Sequence, residues 1–149
     1  MAFTRHPKTI YSLARRSQLP ICCLSIKCRN CNRELTYLDK KQFDYKTLCL
    51  LWEEDVPYGL CEFCCKRNAY CQLLIGCTEV KDGHVLEEEE RKYIKDIRIR
   101  CYVCFTTLCT SEKLQLLDEG ELLLKICGKW RGRCCRCRLF CEPNNPILQ

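Results

Sequence analysis

Cys28-Arg29-Asn30-Cys31 and Cys61-Glu62-Phe63-Cys64, then Cys101-Tyr102-Val103-Cys104 and Cys134-Cys135-Arg136-Cys137, hold eight of the chain's 18 cysteines. Within each set 29 residues separate the two Cys-x2-Cys knuckles, and one offset of 73 residues carries every cysteine of the first set onto its counterpart in the second. A knuckle of this spacing presents two thiolates to one face of an ion, and two knuckles complete a tetrahedron around zinc with each sulfur about 2.3 Å away. All four positions are then filled by protein. Such a site builds structure and leaves no vacancy for a reacting water. The sequence therefore predicts two structural Zn²⁺ ions, one held by Cys28, Cys31, Cys61 and Cys64, the other by Cys101, Cys104, Cys134 and Cys137. Structural zinc in small peptides contributes on the order of 10 kcal/mol to folding.

Disulfides are the plain alternative for so many cysteines. Residues 1 to 30 contain no apolar core with a small-residue cleavage site, and the repeat itself has metal-like spacing, so a reducing compartment is expected. Cys65 and Cys135 sit beside ligands, but neither has a cysteine at its own 73-residue partner position, which keeps the register unshifted. The repeat continues past the cysteines. Ile26-Lys27-Cys28 aligns with Ile99-Arg100-Cys101, Leu35 with Leu108, Lys40 with Lys113, Leu50-Leu51 with Leu123-Leu124, and Gly59 with Gly132. The two glycines stand two residues before a ligand, where a knuckle needs a positive φ or a close backbone approach. Two homologous modules follow, each of a size at which a metal staple is usual.

The 149 residues are too few for a large enzyme, and no run of 18 apolar residues exists to cross a bilayer. The net charge of +6 divides unevenly, at +7 over residues 1–33, −5 over 34–128 and +5 over 129–138, with Glu142 supplying the remaining −1. Thr9 caps a short helix reaching Arg16; Ile21–Ile26 reads as a strand into the first knuckle; Phe43–Trp52 starts as a helical turn and finishes as a strand. Lys66–Ile75 has helical spacing and ends at Gly76, a candidate C′ position. Asp82-Gly83 reads as a turn, followed by an exposed helix with Glu87/Arg91 and Glu88/Lys92 pairs, and Ser111 as the cap of a later helix. The division is a basic N-terminal arm with a short helix over 1–20, a first zinc domain over 21–64, a linker helix and connector over 65–97, a second zinc domain over 98–141, and a disordered tail over 142–149.

Catalysis has little to stand on. His6 lies in the basic arm and His84 in the connector, both expected to be solvent-exposed, and no zinc-deaminase, HExxH or nucleophile-elbow signature is present. A RING-type ligase would interleave its sites and include histidine, whereas the two quartets here are sequential and wholly cysteine. The stripe from Lys129 to Arg138, with Trp130, is the best candidate for phosphate contacts should the chain bind DNA, a secondary and weak expectation beside an acidic middle.

The doubled Cys-x2-Cys-x29-Cys-x2-Cys pattern, the 36 residues between the two fingers, Trp130-x-Gly132-x-Cys134 and Thr9-Ile10-x-x-Leu13-Ala14 together resemble the papillomavirus early protein six family over residues 9 to 141. The resemblance implies a small α+β fold: two tandem zinc-binding domains, each a short three-stranded antiparallel sheet with short helices, joined by a linker helix. It also implies a viral adaptor without catalytic activity, in the host cytoplasm and nucleus, that captures an acidic helical LxxLL peptide in an interdomain groove. The partner would be a HECT-type ubiquitin ligase redirected against a tumour suppressor and other regulators, a Notch-pathway coactivator, or a focal-adhesion protein. At positions matching that groove stand Leu48, Cys49, Leu51, Leu60 and Ile126 as leucine pockets, with Arg100 and Lys129 as charged clamps. Without the resemblance, Leu48, Leu51 and Leu60 read as ordinary core. Lys129 stands where relatives use arginine, replacing a forked carboxylate contact with a point charge. The chain ends Ile147-Leu148-Gln149, so no PDZ partner is expected, and weak self-association is a further expectation.

Overall fold

The computed structural model describes residues 6–140. They form two compact units dividing between Cys65 and Lys66. The expected tail over 142–149 and the first five residues of the arm lie outside the described residues.

In the first unit, helix α1 (Ile10–Ser17) starts at Thr9, whose hydroxyl accepts from the Ser12 N–H. The segment expected as a strand into the first knuckle is instead a 3₁₀ turn at Ile21–Cys23, and pairing begins only at β1 (Lys27–Cys28). Helix α2 (Tyr37–Tyr45) opens on a capping box between Thr36 and Asp39. A hairpin of β2 (Leu51–Glu53) and β3 (Val56–Gly59) follows, with β1 parallel to β3. The three-stranded sheet is therefore mixed, because the knuckle brings β1 in alongside β3 in the same direction. Its core gathers Ile10, Leu24, Ile26, Leu35, Phe43 and Leu50 around the knuckles. His6 is exposed as expected, and it also stacks on Trp52 at 4.1 Å and reaches Asp55 at 3.1 Å.

Helix α3 (Glu62–Gly76) carries the chain across the division. The stretch with the sequence of a connector builds much of the second unit. Strand β4 (Cys77–Asp82) leads into helix α4 (Gly83–Glu90), capped by Asp82 rather than preceded by a free turn. Arg91 takes a left-handed φ of 54° and ends that helix, so Glu87 accepts from the Ile94 N–H instead of aligning with Arg91. Strand β5 (Arg100–Cys101), helix α5 (Thr110–Asp118), strands β6 (Leu122–Ile126) and β7 (Lys129–Gly132), and helix α6 (Cys135–Phe140) complete the unit. The sheet order is β4-β6-β7-β5, four strands because β4 adds to the outer edge of β6. Helix α5 is capped at Cys109, not Ser111, because Glu112 then falls at the third helical position and closes the box on the Cys109 N–H.

The 73-residue offset governs the backbone as well as the ligands. Every described residue with positive φ has its counterpart at that offset: Gln18 with Arg91, Asn32 with Phe105, Thr47 with Gly120, Glu54 with Cys127 and Asp55 with Gly128. The last two pairs are the central residues of two-residue hairpins, where two left-handed residues match the twist of the flanking strands. Glycine fills only two of the ten positions, so the remaining eight hold their strained conformation by context. Gly59 and Gly132 do not have positive φ; their role is close approach. A β-carbon on Gly59 would stand 2.7 Å from the Leu35 side chain, and one on Gly132 would stand 2.9 Å from Leu116 and Leu123.

Two polar devices recur in the same register. Lys40 is buried and its ammonium donates to the Ile21 and Leu24 carbonyls; Lys113 is buried and donates to the Lys95 and Ile97 carbonyls. Desolvation lowers the Lys113 pKa, against the pull of Asp96. The Asp39 carboxylate accepts from the N–H groups of Thr36 and Glu62, and that of Glu112 from Cys109 and Cys135, so one acid ties two helix starts together in each unit. Burial pushes the Glu112 carboxyl up, but these backbone donors outweigh it and hold the pKa below the ordinary glutamate value.

Replacing Lys40 or Lys113 by methionine leaves the carbonyls at the far end orphaned. Each variant should lose about 1–3 kcal/mol per buried carbonyl, read as a lower guanidinium midpoint of the zinc-loaded protein, whereas the exposed Lys41→Met should stay within about 0.5 kcal/mol of the parent.

Candidate metal centre and basic sheet face

In each unit the first knuckle turns back on itself by the same bonds. The Cys28 N–H donates to the Arg33 carbonyl at 2.8 Å and the Asn32 N–H to the Cys28 carbonyl at 2.9 Å; the Cys101 and Phe105 N–H groups repeat this at 2.7 Å and 3.0 Å. The second knuckle of each set sits at the start of a helix, α3 or α6, held there by Asp39 or Glu112. The result is two groups of four sulfurs, Cys28, Cys31, Cys61 and Cys64, and Cys101, Cys104, Cys134 and Cys137, each with all its sulfurs within 4.8 Å of one another.

The spacing within the groups fits one ion apiece. Sγ of Cys31 lies 3.8 Å from that of Cys61, and Sγ of Cys104 lies 3.8 Å from that of Cys134. A tetrahedron with metal–sulfur bonds of about 2.3 Å has edges of nearly this length. A disulfide needs sulfurs at about 2.05 Å, and all the described cysteines are free. Backbone N–H groups point at the sulfurs, from Cys61 to Cys28 at 3.5 Å, from Cys64 to Cys61 at 3.4 Å and from Val103 to Cys101 at 3.4 Å. Burial pushes the Cys28 thiol up, yet donors from Cys31, Cys61 and Asn30 prevail and bring its pKa down to about 7. In the second group, hydrogen bonds from Cys101, Cys134 and Cys137 push the Cys104 thiol down, while Cys137 is pushed up by bonding within the same group. Metal binding must displace the protons that the ligand thiols carry. Zn²⁺ is the ion this donor set suits, a closed four-thiolate site with no open position.

The two sites differ in cover. Cys31 is exposed and Cys61 partly so, whereas all four cysteines of the second site are buried.

The groove residues expected from the sequence fall on separate parts of each unit. In the first, Leu51 opens β2 and is 49% exposed, opposite Tyr58; Cys49 is exposed, and Leu48 and Leu60 are half-buried against the core. In the second, Arg100 pairs in register with Arg131, and Lys129 with Ile126. Alternation along strands puts Arg100, Lys129 and Arg131 on one face of the sheet, the face away from Leu123 and Trp130. Arg100 is half-buried, with Nη1 donating to the Phe105 carbonyl at 2.8 Å; Lys129 is exposed. Ile126 shares that face but is fully buried, with the Gly76 backbone close by. This approach, not a left-handed φ, explains Gly76: a β-carbon there would meet the Cys127 sulfur at 2.5 Å. Sequence reasoning misses Arg131, although Lys129-x-Arg131 has the period of a strand. It donates to Gln72 at 2.9 Å and lies over the Phe105 ring at 4.9 Å.

The basic stripe expected to meet phosphates is largely turned inward. Trp130, Arg131 and Arg133 are buried, Arg133 pairs with Glu121, and Arg138 pairs with Glu119 and Glu121. Among the described residues no helix is long and apolar enough to cross a membrane.

With two four-cysteine sites and the mixed sheets in place, comparison with known proteins is decisive: the family described as Early Protein (E6) matches residues 10–137. The chain belongs to the papillomavirus E6 family. It is similar to Protein E6 of Human papillomavirus 23, 35% identical over 89% of this chain and 85% of that protein, and to Protein E6 of Human papillomavirus 9, 36% identical over 88% and 89%. The solution structure of the C-terminal zinc-binding domain of HPV51 oncoprotein E6 is 32% identical over 47% of this chain and 95% of that domain, with a TM-score of 0.38. As a member of this family, the chain carries two structural zinc ions, one per cysteine quartet.

Chelator competition at neutral pH should release zinc in two phases, the fast one from the Cys28/Cys31/Cys61/Cys64 site. Cys31→Ser should abolish the fast phase and Cys104→Ser the slow one, and acidification should speed both by protonating ligand thiols. A chromophoric zinc indicator reads all three results.

Proposed function

We propose that this chain is a non-catalytic adaptor that captures acidic, helical LxxLL segments of host proteins. The observation that carries this reading is the sheet face of the second unit, where half-buried Arg100 and exposed Lys129 lie in register with the buried Arg131 and Ile126. A helical peptide with leucines and flanking acids needs apolar surface for the first and cations for the second. The exposed Leu51, with Leu48, Cys49 and Leu60, supplies apolar surface in the first unit, and Ile126 is the buried apolar residue on the basic face of the second. Arg100 is held by the Phe105 carbonyl, which presets the direction of its guanidinium for a forked contact with a carboxylate. Membership of the E6 family supports the host-directed role.

In this reading the bound partner is a HECT-type ubiquitin ligase, redirected against host regulators such as a tumour suppressor, or a Notch-pathway coactivator or focal-adhesion protein held out of use. The protein then acts in the host cytoplasm and nucleus, against differentiation, apoptosis and innate defence.

Titrating fluorescent LxxLL peptides with acidic flanks should give saturable binding to the zinc-loaded protein. Arg100→Glu should weaken it about tenfold or more, equivalent to about 1.4 kcal/mol, and Lys129→Glu should do so to a smaller extent with a strong dependence on salt. Unchanged affinity in Arg100→Glu removes that residue from the site. A pull-down comparing the HECT ligase with the Notch coactivator identifies the preferred partner.

A further inference from the structure

Three adjacent cysteine pairs lie among the described residues, and two of them, Cys64-Cys65 and Cys134-Cys135, include a zinc-site cysteine. The third, Cys22-Cys23, belongs to neither quartet. Both its thiols are exposed, with their sulfurs 3.9 Å apart. The turn that presents them is fixed from within, because the buried Lys40 ammonium bonds the carbonyls of Ile21 and Leu24, one on each side of the pair. At the 73-residue offset the second unit has Lys95 and Asp96, so the dithiol is no part of the duplicated scaffold.

Two chemistries are open to neighbouring thiols. Joining to each other is geometrically unfavourable: adjacent α-carbons across a trans peptide are about 3.8 Å apart, short of the roughly 4.4 Å at which disulfides begin to be usual. Bridging through a third atom asks for less. An ion bound to both sulfurs spans them at close to their present separation, and thiolates favour soft ions. We infer that Cys22 and Cys23 form a surface chelating site for a soft, thiophilic metal or metalloid, separate from the two zinc sites.

Phenylarsine oxide is the probe. Its trivalent arsenic takes both sulfurs, two As–S bonds replace the As–O bond, the two thiol protons leave with that oxygen as water, and no atom changes oxidation state. One equivalent added to the full-length, zinc-loaded chain, followed by mass spectrometry under native conditions, should show a single phenylarsenic adduct with both zinc ions retained. The adduct should resist excess monothiol and be removed by a dithiol. In Cys22→Ser and Cys23→Ser, where chelation is reduced to a single bond, its stability should fall by about 10²-fold or more, and in the double variant it should be lost, while retained zinc reports that each variant is folded. An adduct that persists in the double variant, zinc released in step with arsenic, or no adduct on the parent chain would each overturn the assignment.

Discussion

Four cysteine sulfurs gathered within 4.8 Å of one another form the constraint on which each unit depends. Such a group is unfavourable without a cation, since any thiolates in it repel and the thiols satisfy one another only by weak sulfur hydrogen bonds. With zinc, the same crowding becomes a cross-link between two distant parts of the chain, the knuckle after β1 and the start of a helix 30 residues on. The hydrophobic cores are built around it. Cys28 and Cys64 belong to the first cluster of buried side chains, and all four ligands of the other site to the second. Metal and core are therefore one cooperative structure in each unit, as expected for modules too small to rely on apolar burial alone.

Around the metal, a set of backbone conformations is written twice. Left-handed residues recur at one offset whatever side chain occupies them, from Asn32, which tolerates that region well, to Phe105, which does not. Phe105 acts twice, since its carbonyl holds Arg100 and its ring lies beneath Arg131. The strained residue after the first knuckle of the second unit thereby orients two of the cations on the sheet face. In the first unit the equivalent strands present Leu51 and Tyr58 instead. Duplication has kept the metal site, the buried lysine, the helix-tying acid and the basic residue that opens the first strand of each knuckle (Lys27, Arg100), while Tyr58 of the first unit is replaced by Arg131 in the second.

The quartets are legible in the sequence because a ligand spacing is a local property, and repeating it fixes the register. Lys40 and Lys113 are legible as a repeated pair, but their bonds to carbonyls 16 to 19 residues away are not. Other features escape for physical reasons. Ile21–Ile26 has strand-like composition, yet Lys40 draws its carbonyls inward and winds it into a 3₁₀ turn. The start of α5 reads as Ser111 in the sequence because Cys109 is not a usual cap, and only the Glu112 carboxylate makes it one. The stretch 77–90 reads as a connector since charged β4 is an edge strand, whose pairing with β6 has little hydrophobic signature of its own. The basic stripe over 129–138 reads as uniformly available, whereas Glu119 and Glu121 neutralise part of it across the unit.

Each zinc in this chain is a structural ion, since the donor set fills every coordination position with protein sulfur. Zinc-edge X-ray absorption, combined with metal analysis of the purified full-length chain, tests this most directly. Two zinc ions per chain are expected, each with four sulfur neighbours at about 2.3 Å and no oxygen or nitrogen in the inner shell. One zinc per chain, or a light-atom neighbour marking an open coordination position, would contradict a purely structural role.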